Sequence, residues 1–131
     1  MAVILVTHNL GIVAELADRV AVMYAGHIVE SGAAAELLAN PAHPYTRALL
    51  RAVPRLGGEE KRLATIPGHV PSAADFAPGC RFCDRCERRA GLSEAEKEEC
   101  RTVKPAETDL GDGHRVRCFH PGSGAEEEPR K

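Results

Sequence analysis

The sequence predicts an α/β fold carrying a small cysteine-rich, loop-rich extension, and three observations point there. Residues 2–6, AVILV, form an unbroken apolar run without alternation, the pattern of a strand covered on both faces in a parallel sheet. Apolar residues then recur at helical spacing, beginning with Leu10, Val13, Ala14 and Ala17. All five cysteines fall late, from Cys80 to Cys118, in a stretch with little apolar periodicity.

The 131 residues suit one domain, or one domain with an appendage. Residues 1–53 are the apolar, periodic portion. Residues 54–78 hold Pro54, Pro67, Pro71 and Pro78 and read as an extended connector. Residues 79–121 form the extension. Residues 122–131 are a polar, charged tail, expected to be disordered.

Each element has a local reason. The helix begun at Leu10 ends at Asp18-Arg19. RVAVMYA and HIVESG are strand-like runs separated by Ala25-Gly26, a plausible hairpin turn although weaker than Asn-Gly. A helix over Ala33 to Leu38 stops before Asn40-Pro41. HPYTRALLRAV starts another, with Pro44 suited to the first helical position and Tyr45, Ala48, Leu49 and Ala52 on one face. Ser93 to Glu96 reads as a capping box opening a short helix that ends near Cys100.

Composition narrows the function classes. Hydrophobic residues make up 44%, but aromatics only 4% with no Trp, so the core is mostly aliphatic. A net charge of −2 argues against a dedicated nucleic-acid binder. No apolar run approaches the ~20 residues of a membrane span. Met1 lacks the basic flank of a signal peptide. The default compartment is the cytoplasm, where the thiols stay reduced unless they hold a metal or do redox work.

A strand buried on both faces needs neighbours, and one helix and one hairpin are few. The opening run therefore reads as the end of a larger sheet. The chain is expected to be a fragment, or to fold against something else.

His8 stands two residues past the end of AVILV. Ligands of open α/β sheets collect beyond the carboxyl ends of strands. An imidazole there can donate to a phosphate or polarise a water. The plainer reading is that Thr7 or Asn9 caps the helix and His8 is partly exposed loop.

The cysteines run Cys80-x2-Cys83-x2-Cys86-x13-Cys100-x17-Cys118. An odd number in a reducing compartment argues against a complete disulfide framework. The two overlapping C-x-x-C spacings bring thiolates toward one centre, as an iron–sulfur cluster or zinc requires. The first three match the opening of a ferredoxin-type run, and Cys100 or Cys118 can complete the site. His114 and His120 flank Cys118 and widen the ligand choice, so zinc is an alternative. Free thiols in a loop-rich module are the plain reading.

Other features read as structure or solvated surface. Glu59 to Arg62 is a solvated patch in the connector. Arg85, Arg88 and Arg89 are diluted by Glu87 and the acids from Glu94 to Glu99. His43-Pro44-Tyr45 starts a helix.

VILVTHNLGIVAELADRVAVMYAGHIVESG resembles the end of an ABC-transporter nucleotide-binding subunit, in which a strand ending Thr-His-Asp-Leu carries a switch histidine. NPAHPYTRALLRAVP, IPGHVPS and GCRF resemble one branch, the ATP-binding subunits of oligopeptide and dipeptide importers. The resemblance runs from Ala2 to about Pro121. It implies the C-terminal fragment of a P-loop, ABC-type domain plus the branch's C-terminal extension. It implies a γ-phosphate contact for His8, with ATP and Mg²⁺. It implies a second ATP-binding subunit, two membrane permease subunits and, indirectly, an extracytoplasmic peptide-binding protein, at the cytoplasmic face of the membrane. It also implies a [4Fe–4S] cluster on Cys80, Cys86, Cys100 and Cys118, with Cys83 left as an alternative ligand.

The departures bear on activity. The chain holds no Gly-x-x-x-x-Gly-Lys-Ser/Thr, no Leu-Ser-Gly-Gly-like run and no apolar strand ending in Asp-Glu. Nothing in it cradles the phosphates or holds Mg²⁺. Asn9 stands where the family has Asp, and Met1 matches an internal methionine of relatives. The chain alone is expected not to hydrolyse ATP. The competing class is a stand-alone cytoplasmic iron–sulfur or zinc module, which leaves AVILVTHNL unexplained.

Overall fold

The computed structural model describes residues 1–53 and 66–122. The Glu59–Arg62 charge run and the tail beyond Gly122 lie outside the described residues.

The N-terminal run differs from expectation. Residues 1–6 are neither strand nor helix, and Val3, Ile4 and Val6 are 76%, 94% and 93% exposed. A strand is held by backbone bonds to neighbours. No described strand pairs with this run, so it has no ladder to join.

Helix α1 (Leu10–Leu16) follows. The Gly11 and Ile12 N–H groups donate to Asn9 Oδ1 at 3.0 and 3.3 Å, and Asn9 N–H donates to Thr7 Oγ1 at 3.0 Å. Such a cap contributes ~1 kcal/mol.

Strands β1 (Arg19–Tyr24) and β2 (His27–Ala33) form the expected hairpin. Ala25 and Gly26 at its turn have φ of 49° and 81°. Positive φ at both central residues matches the twist of the flanking strands. Glycine adopts it freely; Ala25 does so at a cost of ~1–2 kcal/mol. Helix α2 (Ala34–Ala39) leads into α3 (Pro44–Ala52), with Pro44 in its first turn and His43 as its cap.

The cysteine segment begins with short 3₁₀ turns at Cys83–Arg85 and Glu87–Gly91. Helix α4 (Glu94–Thr102) carries the expected reciprocal box between Ser93 and Glu96. Strands β3 (Thr108–Asp109) and β4 (Arg115–Val116) close the described chain.

All pairings are antiparallel, in the order β1-β2-β4-β3. The parallel sheet suggested by AVILV is absent among the described residues. β4 pairs directly with β2, Glu30 opposite Val116 and Ser31 opposite Arg115. The cysteine-bearing segment thus shares one sheet with the N-terminal hairpin.

The core lies under that hairpin: Val22, Tyr24, Val29, Leu37 and Phe82. Its few aromatics converge. Phe82 meets Tyr24 and Tyr45 at ring-centroid distances of 5.2 and 5.3 Å, and Tyr24 meets Tyr45 at 4.7 Å. Such pairs add ~0.5–1.5 kcal/mol beyond burial. Phe82 sits between Cys80 and Cys83 in the chain, so this packing fixes the cysteine turn against β1 and α3.

Arg85 ties in the connector. Its guanidinium donates to the carbonyls of Pro67, Ile66 and Gly68 and to Tyr24 Oη. This corrects the solvated reading of that arginine. Arg89 pairs with Asp84, and Arg51 of α3 with Glu87.

Candidate functional site

Local bonds gather the cysteines. Gly79 N–H donates to Arg101 O at 2.9 Å, and Cys80 N–H to Cys100 O at 2.7 Å. The start of the segment, at Gly79 and Cys80, thereby lies against the end of α4. A Cβ at position 79 would collide with the Cys100 carbonyl oxygen, so only glycine permits this approach. Two turns follow the C-x-x-C spacings, with Cys83 N–H donating to Cys80 O and Cys86 N–H to Cys83 O, and a third turn follows in which Arg89 N–H donates to Cys86 O. Cys118 follows β4, and His120 N–H donates to its Sγ at 3.3 Å.

All five cysteines line one cleft, with His43, Phe82, Phe119 and His120 among its other walls. It encloses about 470 Å³, its solvent-facing mouth included. The five are free thiols. Burial pushes Cys80 up to about 12 and Cys118 up to about 11. It also raises Cys83, Cys86 and Cys100. Neighbouring thiols add to the rise at Cys80 and Cys118. Such groups stay protonated at neutral pH unless a cation favours the thiolate.

No group of three or more His, Cys, Asp or Glu among the described residues is arranged to hold a metal ion. Four thiolates around one zinc at ~2.3 Å must lie roughly 3.8 Å apart. Without such a group, the arrangement supports neither the [4Fe–4S] cluster nor the zinc alternative. It also does not separate Cys83 from the other four, since all line the cleft.

The flanking histidines part company. His120 lines the cleft, with Nε2 buried and lacking a hydrogen-bond partner. His114 is committed elsewhere: its Nε2 lies 2.6 Å from Glu30 Oε1. His114 is therefore corrected as a ligand candidate. The same buried carboxylate accepts the N–H groups of Ala42 and His43 at 2.7 and 2.9 Å. Sequence reading missed Glu30, since a lone charge in a hairpin strand ordinarily faces water.

His43 does start α3, as expected: Tyr45 N–H donates to its Nδ1 at 3.0 Å. It also lines the cleft, which its sequence position did not indicate. Burial holds it down to about 4, with the Glu30 charge acting in the opposite direction. Its Nε2 has no partner.

His8 is exposed at the end of the irregular N-terminal run, immediately before the Asn9 cap. It lies apart from the residues that line the cleft.

Residues 29–91 match the family described as oligopeptide/dipeptide transporter, C-terminal region. This chain carries the C-terminal region of the oligopeptide/dipeptide transporter family. The matched span takes in β2 from Val29 onward, the HPY segment and the first three cysteines. The chain is 48% identical over 125 residues to a putative peptide import ATP-binding protein of Brucella ovis, covering 91% of this chain and 35% of that protein. It is 42% identical over 121 residues to the dipeptide transport ATP-binding protein of Escherichia coli, covering 92% and 35%. It is 41% identical over 118 residues to an oligopeptide transport ATP-binding protein of Bacillus subtilis, covering 90% and 34%. The chain thus spans about a third of the length of these oligopeptide/dipeptide transporter relatives. No helix among the described residues is long and apolar enough to cross a membrane.

Proposed function

We propose that this chain is the C-terminal portion of the ATP-binding subunit of an ABC importer for di- or oligopeptides. The observation that carries this is similarity at 41–48% identity to peptide-transport ATP-binding proteins across nine-tenths of the chain. In this reading the subunit works at the cytoplasmic face of the membrane. Its partners are a second ATP-binding subunit, two permeases and, indirectly, an extracytoplasmic peptide-binding protein.

His8 is proposed as the switch histidine. It is exposed and precedes a capped helix, so its ring is free to reach outward. A neutral imidazole donates from one nitrogen and accepts at the other, which suits bridging a γ-phosphate oxygen and a neighbouring carbonyl. The phosphate-binding loop and the Mg²⁺-holding acid belong to the remaining two-thirds of such a subunit. The chain alone is therefore expected to be inactive. An ATPase assay on the purified chain tests this: no turnover is expected, and robust turnover abolished by His8→Ala overturns it. Reading the DNA upstream of Met1 tests the larger claim, with an in-frame phosphate-binding loop expected.

We further propose that the cleft takes an iron–sulfur cluster, on Cys80, Cys86, Cys100 and Cys118, with Cys83 in reserve. Such clusters are held by four cysteine thiolates, and five thiols line this cleft. A cluster spreads its ligands over several irons, so it does not need the close thiolate spacing of one zinc. It would brace a segment whose own core is small. Iron and sulfide analysis after anaerobic purification tests it; zinc alone, or no metal, counts against it. The β2–β4 pairing that joins the two regions speaks against a free-standing metal module.

A further inference from the structure

We infer that His43 Nε2–H donates a hydrogen bond to a sulfur of the group held in the cysteine cleft, making His43 a positioning residue for that group. The inference rests on the cluster reading above.

His43 is 1% exposed and lines the cleft. Its Nδ1 accepts the Tyr45 N–H, so Nδ1 carries no proton. The neutral ring must then carry its proton on Nε2, which is a donor. That donor is buried without a partner. Leaving such a group unsatisfied costs ~1–3 kcal/mol. Metal ligation through Nε2 would require a ring stripped of both protons, so His43 is not a ligand. The cleft offers sulfur acceptors instead.

The ring is also held in place. His43 N–H donates to Glu30 Oε2 at 2.9 Å, His43 O accepts from Arg47 N–H at 3.1 Å, and the ring centroid lies 6.0 Å from that of Phe82. Glu30 and the start of α3 thus fix a ring that carries one unpartnered donor and forms part of the cleft wall. His120 has a similar orphaned nitrogen, but no bond fixes its tautomer. Hydrogen bonds to sulfur favour the more negative, reduced state and raise the reduction potential.

The test uses the 131-residue chain reconstituted anaerobically with ferrous iron and sulfide. Iron and sulfide content and the midpoint potential are measured for wild type and two variants. His43→Asn keeps an acceptor oxygen near the Nδ1 position, so the cap survives, and removes the donor. His43→Gln places an amide N–H near the Nε2 position and gives up the cap. The expected result is a loaded His43→Asn chain whose reduction equilibrium falls about tenfold, ~59 mV for a one-electron couple. His43→Gln should stay near wild type despite lower thermal stability. Equal potentials in all three loaded chains overturn the inference, as does a His43→Gln shift as large as that of His43→Asn. If wild type takes up no iron and sulfide, the cluster reading falls and this inference with it. Should either variant fail to load, pulsed EPR of the reduced, ¹⁵N-histidine-labelled His120→Gln chain decides. A coupled imidazole nitrogen is expected, and its absence overturns the inference.

Discussion

Glu30 and His114 are 84 residues apart in sequence and 2.6 Å apart in the fold. The Glu30 carboxylate is 1% exposed and joins three segments: β2, which carries it, the Ala42–His43 backbone, and the turn before β4. Gly32 keeps this junction close, since a Cβ there would lie 3.3 Å from His114 Cα.

Removing that carboxylate should be costly. Glu30→Ala strands two buried N–H groups and the His114 ring, and should destabilise the chain by about 3 kcal/mol. Glu87→Gln, which removes the exposed partner of Arg51, should stay within ~0.5 kcal/mol. Urea denaturation of both variants makes the comparison.

Phe82 joins the cysteine turn to the hairpin. Phe82→Ala should cost about 3–5 kcal/mol and open the cleft. Loss of the unfolding midpoint should be accompanied by faster labelling of the buried thiols, read by mass spectrometry.

Thiol reactivity should follow burial. In the metal-free chain at pH 8, Cys80 and Cys118, raised to about 12 and 11, should label much more slowly with iodoacetamide than the less buried Cys100. Equal rates at the three sites would contradict the packing described.

His43 makes stability depend on pH. Burial lowers it to about 4 in the folded chain, against an ordinary value of 6.5. Between these values the unfolded chain binds more protons, so stability rises with pH. The contribution is full above pH 6.5 and is lost as pH falls toward 4. It should amount to about 2 kcal/mol between pH 7 and pH 5. Urea midpoints at the two pH values should show this slope, reduced in His43→Asn.

The local elements were legible in the sequence because their causes are local. Ala25-Gly26 sets the hairpin, Pro44 and His43 start α3, and Ser93 with Glu96 starts α4. What was not legible depends on distant partners. The pairing of β4 with β2 rests on two-residue strands too short to leave a period. The Arg85 clamp on residues 66–68 depends on where the connector returns. AVILV carried a strand's pattern, but pattern alone supplies no neighbouring strand. For the site, cysteine spacing pointed to thiols drawn toward one metal or cluster centre; that all five line one cleft, and that His43 stands in its wall, depends on distant partners.

The most direct test of the account is a transplant. The matching C-terminal third of the Escherichia coli dipeptide transport ATP-binding protein is replaced by this chain, and dipeptide uptake is measured in cells lacking the native subunit. The account predicts uptake well above the empty-strain background, abolished by His8→Ala in the chimera. A chimera that accumulates and assembles with the permeases yet transports nothing, or transports equally well with His8→Ala, would contradict it.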